Sequence, residues 1–149
     1  MISFNSFVTL IFLDGLLLHV LYYTLFKKPV SKEDLLQAAS DAGLAAHNRV
    51  RALHRSTPPM VTGRKQTTDA QAYAEKLAMD WDGVSIFNVL HHSSNQDRPG
   101  QGENLAANYE SSPAAACVFA TNQWYDEIKD YNYAKPGFTK GIGHFTQVF

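Results

Sequence analysis

The sequence predicts an α+β domain, and three observations carry that expectation. Three stretches repeat apolar residues at helical spacing, the last six residues alternate as a strand would, and a short extended piece is expected near Glu103 to Asn108. With 149 residues, 45% of them hydrophobic and 12% aromatic, the chain supports one core rather than two.

The first element is apolar. From Phe7 to Phe26 the chain reads FVTLIFLDGLLLHVLYYTLF, close to the roughly 20 residues that cross a bilayer as a helix. Asp14 near its centre costs roughly 2.5 to 3.5 kcal/mol on insertion scales, against about 0.3 to 0.6 kcal/mol gained at each Leu or Phe. No basic residue precedes the run and no small-x-small site follows it. Residues 1–30 therefore read as a membrane-anchoring apolar helix or an uncleaved signal, with an ordinary core helix as the alternative. Lys27, Lys28 and Lys32 place the following domain, residues 31–149, on the cytosolic side by the positive-inside rule.

Ser31 followed by Asp34 forms a capping box for a helix that runs through Leu35, Ala39, Ala46 and Val50 to about His54, where Thr57-Pro58-Pro59 ends it. Thr68 with Gln71 forms a second box, after which Ala70, Tyr73, Ala74, Leu77, Ala78 and Trp81 recur at helical spacing. Residues 88–102 are polar and carry Gly and Pro, so they read as a long loop. Ser112-Pro113 supplies an N-cap and a first-turn proline for a third helix to about Tyr131. Its stripe carries Cys117, Ala120, Trp124, Ile128 and Tyr131, with Trp124 and Tyr131 as core residues. After the Pro136-Gly137 turn, His144 to Phe149 alternates Phe145, Gln147 and Phe149 with Thr146 and Val148, the pattern of a strand.

Charge and cysteine content exclude whole classes. The net charge is -1, from 13 basic and 14 acidic residues with no basic run longer than Lys27-Lys28, so the footprint of a nucleic-acid binder is missing. Cys117 is the single cysteine, which excludes an intramolecular disulfide, and its place on an apolar stripe reads as core rather than nucleophile. There is no H-E-x-x-H, paired C-x-x-C or G-x-S-x-G.

Two imidazoles and two carboxylates remain as candidates for chemistry. Glu127 follows Trp124 by three residues and precedes Tyr131 by four, which puts its carboxylate on the apolar stripe, where it needs a partner. The partners on offer are His91 or His92 and His144, with Glu103 as a second loop carboxylate. Such a set can hold a divalent cation or share protons; equally, each member can be satisfied structurally by backbone groups.

The segments AHNRVR (46–51), LHHS (90–93), GENLA (102–106), WYDEIKDYNY (124–133) and PGFTKGIGHFTQV (136–148) occur in the order found in the CAP superfamily of cysteine-rich secretory, antigen 5 and pathogenesis-related proteins. Over residues 35–148 the chain resembles that family, nearest its cysteine-poor, Golgi-associated branch. The resemblance implies a three-layer α-β-α sandwich, the SCP domain, with a cleft lined by two His and two Glu. The matching positions are His92, Glu103, Glu127 and His144; His92 is preferred over His91 because the family's histidine directly precedes the serine. It implies a divalent cation, zinc being the candidate, on His92 and His144, and a non-catalytic binder of lipid or sterol at membranes of the Golgi and secretory pathway. Two other readings stand beside it: a secreted, extracellular signalling or toxin-like protein, and a metal-assisted hydrolase with Glu103 or Glu127 as general base. The family's pattern continues past Val148 into central strands. The expectation is thus a sandwich incomplete at its C-terminus, whose edge at Phe145 to Phe149 can pair two copies into a homodimer.

Overall fold

In the computed structural model, residues 30–149 are described; the expected apolar helix and its topology fall on residues 1–29, outside that range. Helix α1 spans Lys32–Arg51 and opens where the sequence places it. Ser31 is extended and its Oγ accepts the Asp34 N–H at 3.0 Å, with Glu33 and Asp34 in the first turn and Arg49 and Arg51 in the last. Its buried face, Ala39, Ala46, His47 and Val50, is mostly small.

Helix α2 covers Arg64–Met79 and starts one turn earlier than Thr68, with Gly63 as N-cap and no side-chain capping bond. The expected box at Thr68 and Gln71 is corrected here. The Gln66 side chain curls back over Gly63 into space that a Cβ would fill, and the Thr67 N–H reaches the Gly63 carbonyl at 2.9 Å. Helix α3 covers Pro113–Asp126, with the Ser112 Oγ accepting the Ala115 N–H at 3.2 Å. It tightens at Glu127 into a 3-10 turn, Glu127–Asp130, short of the expected end at Tyr131.

The most extensive helix pairing is α1 with α3. Both helices bury small residues, Ala39 and Ala46 on α1 and Ala116 and Ala120 on α3, which permits close backbone approach, and Gly43 lies against the buried Cys117. One core cluster joins Val50, Ala120, Trp124 and Val148. A second joins Leu77, Ile86 and Val89 under α2. Residues 105–107 lie between them: Leu105 and Ala107 pack on the second cluster and Ala106 on the first.

The tail overturns the strand expectation. Gly143–Val148 is a short helix, α4, whose buried residues Phe145 and Val148 are three apart and pack toward α3. Thr146 bonds the Ile142 and Gly143 carbonyls through its hydroxyl at 3.2 and 3.0 Å. A strand must borrow hydrogen bonds from a neighbour, whereas a helical turn closes its own. Among the described residues there is no β-strand at all, so residues 103–108 do not form one either, and the three-layer α-β-α sandwich is not what these residues build. They build helices joined by long connections. With a helix at residues 143–148, the sheet edge expected to pair two copies is also absent.

Candidate functional site

The four candidate side chains fall into two His–Glu pairs. His92 stands in the connection after α2, and its Nδ1–H donates to Glu103 Oε1 at 2.7 Å. Glu103 is nearly sealed, its side chain 1% exposed. That burial is tolerated because the carboxylate also accepts the Ser93 N–H at 2.9 Å and the Ser93 hydroxyl at 2.7 Å, with the Arg98 guanidinium at 3.7 Å. Arg98 is itself held by the Gln101 carbonyl at 2.8 Å. The His92 ring remains largely open to solvent, its side chain 57% exposed.

His144 is the second residue of α4, and its Nδ1–H donates to Glu127 Oε1 at 2.6 Å. The other Glu127 oxygen accepts the Phe145 N–H at 2.9 Å, so the carboxylate ties the end of α3 to the start of α4. Trp124, buried one turn before Glu127, stacks on the His144 ring at 6.0 Å between centroids and 19° between planes. Tyr131, half-buried, meets Tyr133 and Phe145 edge-on or tilted at 4.8 and 5.0 Å.

In both pairs the proton on Nδ1 is held by carboxylate, which leaves Nε2 as the ring's lone-pair nitrogen. Three or more His, Cys, Asp or Glu side chains do not converge into a metal-holding group among the described residues. What the described residues offer is two imidazoles, each backed by its own carboxylate. His91 is not the equivalent of His92: its Nδ1 bonds the Val89 carbonyl at 2.9 Å, and its own carbonyl accepts the Tyr73 hydroxyl at 2.7 Å.

Asn104, missed by the sequence reading, links the pairs. It is 2% exposed and its amide donates to the His144 carbonyl at 3.0 Å, while Glu103 beside it holds His92. Arg98 was also missed, its only sequence signal being proximity to His92, and Ser93 was read only as the serine that closes the LHHS segment. Behind Glu103, a cleft of about 340 Å³ lies between α2 and residues 93–103, bordered by Asp69, Tyr73, Lys76, Arg98 and Gln101. Burial, with the nearby Glu103 charge, raises the Tyr73 hydroxyl's pKa.

The geometry defines a class: a helical domain that presents two carboxylate-backed imidazoles. The family model of the cysteine-rich secretory protein family, CAP, matches residues 44–149, and the chain belongs to that family. It is similar to Golgi-associated plant pathogenesis-related protein 1 of Homo sapiens, 39% identical over 106 residues, which are 70% of this chain and 61% of that protein. Protein PRY2 of Saccharomyces cerevisiae is 36% identical over 102 residues, 68% of this chain and 26% of the relative. Cysteine-rich secretory protein 2 of Homo sapiens is 34% identical over 94 residues, 60% of this chain and 33% of the relative. The chain thus spans under two thirds of the length of each of these relatives. No solved structure matches it.

Proposed function

We propose that this CAP-family chain is a non-catalytic binder of a divalent cation and of a lipid surface. One observation carries the cation reading: both His92 and His144 spend Nδ1 on a buried or half-buried carboxylate, the arrangement that orients an imidazole as a ligand through Nε2. When bound, a cation such as zinc supplies a positive charge and open positions that water or an anionic group can fill. Glu103 and Glu127 fix ring orientation and hold the Nδ1 protons. In this arrangement the oxygens of both carboxylates are engaged by imidazole and by backbone N–H or hydroxyl groups, which supports an orienting role.

A second observation favours the lipid surface. In the loop 131–142, Tyr133 is 64% and Phe138 76% exposed, flanked by the exposed Lys135 and Lys140. Asp and Glu do not occur between residues 131 and 142. Exposed aromatic rings with lysines and no acid match an anionic membrane interface. The name of the human relative places that protein at the Golgi, and the secretory pathway is the location we assign by extension. Free sterol or lipid held within the domain is a narrower form of the same proposal.

Calorimetric titration with zinc at neutral pH tests the cation site. Binding is expected to be much weaker than in a closed four-ligand site, to be lost in His92→Ala and in His144→Ala, and to survive His91→Ala. Binding unchanged in both of the first two variants, or lost only with His91, defeats the assignment.

A further inference from the structure

We infer that Asn104 is a positioning residue that sets His144 against His92, an inference that rests on the cation reading above. The two His–Glu pairs are carried by different parts of the chain. His92 belongs to the loop after α2, while His144 belongs to α4, docked on α3. An element bonded to both supports can couple the positions of the two residues.

The segment Gly102-Glu103-Asn104 is that element. Glu103 faces the loop and holds His92, Ser93 N–H and Ser93 hydroxyl. Asn104, one residue on, faces α4 and holds the backbone of His144 itself through its carbonyl at 3.0 Å. Both side chains are buried, Glu103 at 8% and Asn104 at 2% of the residue surface, so both bonds are shielded from competing water. On the other flank, the Gln147 amide packs against Gly102 where a Cβ would collide with it. That contact is packing only: the buried Gln147 Nε2 has no hydrogen-bond acceptor among the described residues. The polar tie between the segment and α4 is therefore Asn104's.

A two-imidazole site is sensitive to such a tie. With two protein ligands the affinity comes from having both nitrogens placed in advance, and displacements of about 0.5 Å matter. Removing the amide touches neither His–Glu bond and releases the tie at the His144 carbonyl. Loss of a partner that orients a ligand typically lowers metal affinity about 10- to 100-fold.

The experiment compares the unaltered chain with Asn104→Ala, using zinc calorimetry together with long-range proton–nitrogen spectra of the histidine rings and amide hydrogen exchange. The expected result is zinc affinity lowered about tenfold or more, ring spectra that still show Nδ1 protonated in both histidines, and faster exchange at residues 145–148. Ala39→Gly, a destabilising change in α1 away from the site, should lower the melting temperature and leave zinc affinity alone. If Asn104→Ala does not fold, Asn104→Leu, which fills the same space without the amide donor, takes its place in the same measurements. Unchanged affinity in a chain that binds zinc overturns the positioning role, as does an affinity loss matched by Ala39→Gly. If the unaltered chain binds no zinc, the cation reading fails separately. The positioning claim is then decided by exchange at 145–148, and unchanged exchange defeats it.

Discussion

Glu103 shows what a single residue must satisfy to sit inside this domain as an anion. Three donors and a guanidinium surround a carboxylate that is 1% exposed. Glu103→Gln replaces one acceptor oxygen by a donor facing another donor, so it should cost on the order of 1 to 3 kcal/mol in urea unfolding. Glu127→Gln, at a side chain 21% exposed, should cost less. His47 makes the opposite demand. It is 4% exposed, its Nδ1–H donates to the Gly43 carbonyl at 2.7 Å, and burial, aided by Arg51, holds its pKa below the ordinary histidine value. The unfolded chain therefore takes up the proton first. Stability is fully present above about pH 6.5 and is lost as the pH falls from there toward the lowered folded value. His54, lowered by burial as well, adds in the same direction. Melting temperature should drop as the pH falls below about 6.5, with a flatter profile in His47→Gln; an identical profile would remove His47 as the cause.

At the scale of elements, the caps at Ser31 and Ser112 were legible because the side chain that caps is local and needs nothing distant. Ser112→Ala should cost about 1 kcal/mol by chemical denaturation, since the Ala115 N–H loses its acceptor. The start of α2 was not legible: Gly63 leaves no side-chain signal, and the polar pair Thr68 and Gln71 imitates a cap inside the helix. The tail failed for a different reason. Phe145, Thr146, Gln147, Val148 and Phe149 alternate by type, but Phe145 and Val148 also fit a helical face, and a six-residue element is decided by what it packs on. The same tension marks residues 105–107, which keep a strand's alternation of sides without any ladder. The four candidate residues were legible as a set, two imidazoles and two carboxylates. Their division into His92 with Glu103 and His144 with Glu127 was not, because pairing depends on α4 docking beside the end of α3. Asn104 lay hidden beside Glu103, since nothing in a lone amide announces a bond to a carbonyl 40 residues away.

At the scale of the whole molecule, the described residues include no helix long and apolar enough to cross a membrane. The loop 131–142 is built for exposure yet anchored. Tyr131 packs on Phe145 at 5.0 Å, and the Phe138 ring lies over Gly143, where a Cβ would meet it at 2.9 Å. Tyr133 and Phe138 nevertheless stay 64% and 76% exposed, an arrangement that costs the protein apolar hydration unless another phase covers the rings. Each lysine near an anionic bilayer contributes about 1 kcal/mol, which salt screens, while the rings contribute a part that salt does not. A chain beginning at Val30 should therefore sediment with vesicles containing phosphatidylserine and bind phosphatidylcholine vesicles more weakly. Lys135→Glu with Lys140→Glu should abolish the preference for the anionic lipid. Tyr133→Ser with Phe138→Ser should weaken binding to both vesicle types and leave the preference in place. Equal sedimentation of all three proteins would defeat the loop 131–142 as a lipid contact.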